Sequence, residues 1–129
     1  MSVQKTIAQN FTVSAKVSYL ESESRPELNY YVFVYKVTIS AGENSSAQLL
    51  SRHWFITDLY GHTEEIRGPG VVGIQPKIYS GQSFEYESAC PLPTPSGSMR
   101  GTYRMIGEDS SLFDLEIPEF YLVAPSALH

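Results

Sequence analysis

The chain reads as an all-β protein, an antiparallel sandwich of two sheets built from about seven or eight short strands. Three observations carry that reading. Apolar and polar residues alternate with a period of two in several stretches, clusters of Gly, Pro and polar residues separate those stretches, and no segment shows a convincing helical period.

Met1 to Ala8 is expected to be a loose arm, leaving an ordered core over about 9–124 within a single domain spanning 1–129. From Phe11 the alternation is clean, with Phe11, Val13, Ala15, Val17 and Tyr19 on one face and Thr12, Ser14, Lys16 and Ser18 on the other. Glu21 to Glu27 is polar, contains Pro26 and lacks periodicity, as an exposed loop does. Asn29 to Ser40 is a second strand whose core face is Tyr31, Phe33, Tyr35, Val37 and Ile39. Its other face begins with Tyr30, Val32 and Val34, unusually apolar for a solvated face, so a loop, a terminal segment or another chain should cover it.

After a polar connection over Gly42 to Ala47 comes the densest stretch of signals, Leu49 to Pro76. Arg52, Trp54 and Ile56 alternate with His53, Phe55 and Thr57, and Trp54 and Ile56 belong to the core side. Tyr60, Gly61 and His62 supply a turn, and Thr63 to Arg67 a returning strand. Gly68, Pro69 and Gly70 break that strand, Val71 and Val72 resume an apolar run, and Gly73 and Pro76 end it. Ile78 to Gln82 is a turn region, and Ser83 to Ala89 alternates again with Phe84 and Tyr86 inward. Pro91, Pro93, Pro95 and Gly97 predict a stiff loop. Met99 to Ile106 is a strand with Met99, Gly101, Tyr103 and Met105 inside, Gly107 to Ser111 a hairpin turn, and Phe113, Leu115 and Ile117 the next strand. Phe120 to Val123 forms a short last strand after Pro118.

A chain of 129 residues buries roughly two thirds of its unfolded surface and needs no covalent staple. Nine basic residues against fourteen acidic ones, a net charge of -5, disfavour nucleic acid and anionic membranes as partners. The single cysteine, Cys90, excludes an internal disulfide and suggests a reducing compartment. No segment reaches the roughly 18 apolar residues of a membrane span, and the N-terminus has no apolar signal core, so a cytoplasmic, soluble protein is expected.

Gly68, Gly70 and Gly73 spell the Gly-x-Gly-x-x-Gly of dinucleotide loops, but such a loop needs a helix after it, and Pro76 and Gly81 forbid one. The glycines are better read as serving backbone geometry. The same residues carry a family resemblance. Arg52-x-Trp54-x-Ile56 is followed by Glu65-Ile66-x-Gly68-x-Gly70-Val71-Val72-Gly73-x-x-Pro76 and Phe84-x-Tyr86-x-Ser88. Thr94-Pro95-x-Gly97-x-Met99-x-Gly101-x-Tyr103-x-Met105 and Phe113-x-Leu115-x-Ile117-Pro118-x-Phe120-x-Leu122 complete the pattern. Together these resemble the ApaG family over nearly the whole chain, departing only at two turns, Ser80-Gly81 and Ser110-Ser111. The resemblance implies an immunoglobulin-like or fibronectin type III-like sandwich and a stand-alone cytosolic protein. It also implies an association with cobalt and magnesium tolerance or efflux, and a protein-binding role such as the domain has when fused to F-box proteins.

No residue set has the form of an active site. His53 and His62 lie on opposite arms of a hairpin and need not converge, Cys90 sits in no catalytic motif, and Asp114 and Glu116 face outward where Arg100 or Arg104 can pair with them. A non-enzymatic protein without a metal site or cofactor is expected. A phosphohydrolase-like activity is suggested only by the gene neighbourhood that the resemblance implies. Two uses of the Gly68 to Gly73 loop remain open. Its amides could form a nest for pyrophosphate or a nucleotide, with Arg67 or Arg52 supplying charge and a divalent cation assisting. Alternatively Pro69, Val71 and Val72 could dock an as yet unidentified protein partner. Tyr30, Val32 and Val34 are the expected face for any self-association.

Overall fold

The computed structural model describes residues 2–6 and 10–125, with side chains over 10–125. Nine strands are present among them: β1 (Ser2–Thr6), β2 (Phe11–Tyr19), β3 (Tyr31–Ala41), β4 (Ala47–Asp58), β5 (Thr63–Pro69), β6 (Lys77–Ile78), β7 (Ser83–Leu92), β8 (Ser96–Gly107) and β9 (Leu112–Val123). One sheet has the order β1-β2-β3-β7; the other has β5-β4-β8-β9, with β6 paired to β4. All pairings are antiparallel. The expected two-sheet sandwich is the observed fold, of the immunoglobulin and fibronectin type III kind.

The inward residues of every long strand follow from period-two alternation. Phe11, Val13, Phe33, Val37 and Ile39 from one sheet meet Leu49, Trp54, Tyr103, Met105, Leu115 and Ile117 from the other, all of them buried. Two bulges keep that alternation aimed at the core. In β4 the register against β8 shifts between Leu49 and Ser51, so Leu50 is the extra residue. Ala47 and Leu49 before it, and Trp54 and Ile56 after it, therefore all point inward although their numbers change parity. In β9 a second shift lies opposite Met99 and Gly101, at Pro118 and Glu119. A proline that cannot donate to the ladder sits where the ladder is already broken. Two strands were expected around Pro118; the structure has one continuous strand bent at that bulge.

Other expectations shift for similar reasons. Part of the supposed N-terminal arm, Ser2–Thr6, pairs with β2, while Met1 and residues 7–9 lie outside the described residues. Pro91 belongs to β7 and not to the stiff loop, because β7 has a neighbour on one side only and loses no ladder bond there. Lys77–Ile78 adds a short strand in the expected turn region. The loop over Glu21 to Glu27 contains two single 3-10 turns, Glu21–Glu23 and Pro26–Leu28. Those turns answer the question of the apolar outer face of β3. The Leu20 amide donates to the Val32 carbonyl at 2.8 Å, and the Ser24 hydroxyl accepts the Val32 amide at 2.9 Å. Val32 is thereby buried by its own chain, leaving Val34 half-buried and Tyr30 exposed. For Val32, coverage by a loop of the same chain is the alternative that is observed.

Candidate functional site

The loop after β5 is built from its contacts with β4. The register places Arg52 opposite Gly68 and His53 opposite Arg67, so alternation sends Arg52 to the inner side and Arg67 to the outer one. The two arginines considered as alternative sources of positive charge for an anion thus stand on opposite faces. Arg52 turns its Nη1 to the loop backbone, donating to the carbonyls of Pro69 at 3.1 Å and Gly70 at 3.0 Å. Gly68 makes room for it, since a Cβ there would lie 3.0 Å from Nη1 and 3.1 Å from Nη2. Arg67 instead donates from Nε to His53 Nε2 at 3.3 Å, beside Glu65, whose Oε1 lies 3.3 Å from the same ring nitrogen.

The Leu50 bulge holds the rest of the loop. Its carbonyl accepts the Gly70 amide at 2.8 Å and the Gln75 side-chain amide at 2.9 Å. Gly70 has φ +60°, and a side chain there would run into the Ile74 carbonyl. Val71 and Ile74 then exchange both backbone hydrogen bonds, at 2.8 and 3.0 Å. Between them Val72 and Gly73 have φ of 42° and 83°, both positive as in a type I′ hairpin turn. The Gly70 amide is therefore engaged by β4 and those of Val71 and Ile74 within the loop, and the Arg52 Nη1 meets carbonyls there.

The turn sorts its apolar residues. Val71 is fully buried, which makes it an anchor and removes it from any contact surface, whereas Val72 is 58 % and Ile74 49 % exposed. Asn-Gly is the preferred dipeptide for such a turn, because asparagine tolerates a positive φ. A β-branched residue at that position is a steric outlier, and such strain gathers at functional sites. Sequence reading found the loop but missed Ile74 and took Val71 and Val72 as equivalent. The signal available was Val-Gly standing where a two-residue turn asks for Asn-Gly.

Elsewhere titratable groups pair with neighbouring side chains and backbone. His62 lies 3.4 Å from Asp58, whose carboxylate accepts the Tyr60 and His62 amides, while His53 sits on the outer face with Arg67; the two histidines do not meet. Arg104 pairs with Asp114 at 3.2 Å, and Arg100 lies over the Phe55 ring at 4.3 Å. Among the described residues no group of three or more His, Cys, Asp or Glu could hold a metal ion. Among the same residues no helix is long and apolar enough to cross a membrane.

Cys90 is a free, buried thiol, and burial, with Glu64 nearby, pushes its pKa up to about 11. Burial also raises the phenols of Tyr35, Tyr86 and Tyr103, the last two hydrogen-bonded to each other. The unfolded chain ionises these groups first, between about pH 8.5 and 10. Their contribution to stability is complete below that window and is lost as pH rises toward the folded values. Denaturation midpoints should accordingly fall between neutral pH and about pH 10, and a thiol reagent should label Cys90 in the native protein far more slowly than in the unfolded chain. A midpoint that holds steady, or labelling at the unfolded rate, would contradict this account of the core.

The fold and the loop together define a small antiparallel β-sandwich module that presents a strained, partly apolar hairpin tip at the end of one sheet. A family model described as the ApaG domain matches residues 21–107. A Protein ApaG from Bdellovibrio bacteriovorus is 58 % identical over 127 residues, covering 98 % of this chain and 100 % of that protein. Another, from Azotobacter vinelandii, is 51 % identical over 117 residues, covering 91 % and 93 %. A crystal structure of a Bordetella pertussis protein described as ApaA superposes with a TM-score of 0.87 at 47 % identity, covering 90 % of this chain and 94 % of that one. The chain belongs to the ApaG family.

Proposed function

We propose that this protein is a non-catalytic interaction module that docks a protein partner through the hairpin tip at Val72 and Ile74. One observation carries the reading: a β-branched side chain is held in solvent at a backbone angle of φ 42° that it disfavours. A turn selected only for folding would relax by placing Asn or Gly there. Pro69 and the Gly68 to Gly70 backbone, braced by Arg52, keep the tip rigid, which lowers the ordering cost of binding. The cobalt and magnesium tolerance implied by the family resemblance would then act through the partner.

Val72→Asn separates the two roles of the residue. Relief of the strained turn should stabilise the fold by about 1 kcal/mol, read as a higher denaturation midpoint. The same substitution should remove from an affinity capture the species that the unchanged protein retains. Identical captures from the two proteins would sink the docking reading. Saturable amide shifts centred on Gly68, Gly70 and Gly73 on adding pyrophosphate would favour the anion-binding alternative in its place.

A further inference from the structure

A second feature lies on the inner side of Arg52. One edge strand of each sheet, β5 in one and β7 in the other, borders a cleft of about 290 Å³, near the lower end of the range of small-molecule sites. Tyr35, Arg52 and Trp54 line it from within, Glu64 and Ile66 from β5, and Ser88 from β7.

Two residues of this lining, Trp54 and Arg52, carry donors without an acceptor among the described residues. The Trp54 indole N–H is the buried side-chain polar atom without a hydrogen-bond partner among the described residues, on a residue only 2 % exposed. Buried donors are almost always paired, so an orphan marks a place where an acceptor is missing. The Arg52 bonds to the loop carbonyls both come from Nη1, leaving Nε and Nη2 free to donate. Arg52 also makes no ion pair among the described residues, Glu64 included. A planar fork with two donors on one edge suits a carboxylate. Glu64 in the same wall repels a second negative charge, which selects a monoanion over a phosphate dianion. Ile66 and the indole offer apolar surface to the remainder of the ligand.

We propose that this cleft binds a small monocarboxylate with an apolar body, its carboxylate held by Arg52 beside the Trp54 indole. The carboxylate belongs either to a free acid or to the C-terminus of a peptide. The site shares Arg52 with the base of the docking loop but includes neither Val72 nor Ile74, and Val72→Asn leaves it intact.

Trp54 is the only tryptophan, so its emission reports on the cleft directly. The probes are N-acetyl-leucine, its amide, a leucine-terminated tetrapeptide acid and phenyl phosphate. A saturable emission change is expected with at least one of the acids near about 1 mM, and at least about tenfold weaker binding of the amide. Response to N-acetyl-leucine alone identifies free acids as the source, and response to the tetrapeptide alone identifies a chain terminus. Glu64→Gln, at an exposed position, should tighten binding of the acid about threefold. Arg52→Gln should abolish it, with circular dichroism confirming that the sandwich persists. Emission that stays flat to about 10 mM acid in both the unchanged protein and Glu64→Gln overturns the proposal. Equal response to acid and amide, or tighter binding of phenyl phosphate, overturns it as well.

Discussion

Trp54→Ala is expected to cost about 3–5 kcal/mol, the loss typical of deleting a large buried aromatic. Domains of this kind have a total stability of about 5–15 kcal/mol, so the loss takes a large share of it and should lower the denaturation midpoint markedly. The reason is position. Trp54 lies on β4, which has neighbours on both sides, and its ring meets Tyr35, Phe120 and Tyr103 edge-on, at centroid distances of 5.4, 5.9 and 6.3 Å. Those partners come from both sheets, so the indole joins the two layers of the sandwich. Trp54→Phe should be much milder, because it keeps an aromatic ring and deletes the unpaired N–H together with the lost volume. Urea denaturation followed by circular dichroism measures both variants. A loss below about 1 kcal/mol for the alanine variant would show that the core closes around the gap far better than a packed interior should.

Gly101→Ala should be of comparable severity although it adds one methyl group. Gly101 pairs with Trp54 on β4 and with Ile117 on β9. A Cβ at this position would strike the His53 carbonyl oxygen and lie 3.2 Å from the Trp54 Cα. Both obstacles are backbone of a central strand, which cannot rotate aside as a side chain can. The loss should exceed about 3 kcal/mol, beyond ordinary overpacking, because the ladder itself must move. Thr102→Ala, one position along and on the outer face, should stay within about 0.5 kcal/mol. Equal effects of the two substitutions would remove close strand approach as the reason for glycine here.

Much of the fold was legible because strand periodicity is a local signal. Phe11, Val13 and Ala15, or Met99, Tyr103 and Met105, declare their inward face by their spacing, and the structure buries all of them. Features that depend on what lies across the sheet were not legible. Pro91 reads as a loop breaker until β7 proves to be an edge, and Pro118 reads as a strand end until its bulge appears opposite Met99 and Gly101. The covering of Val32 by the segment around Ser24 depends on a contact between residues eight apart that no period predicts.

The candidate site divides in the same way. The sequence by itself determined the class of fold, the family and the glycine-dense loop, because these rest on residue types and their order along the chain. Only the tertiary structure decided that Arg52 and Arg67 part to opposite faces, that Val71 is an anchor while Val72 is presented, and that a cleft lies between β5 and β7. Each of those depends on cross-strand register and on the Leu50 bulge. A shift of one residue in register reverses the face of every side chain while leaving the composition of the strand unchanged.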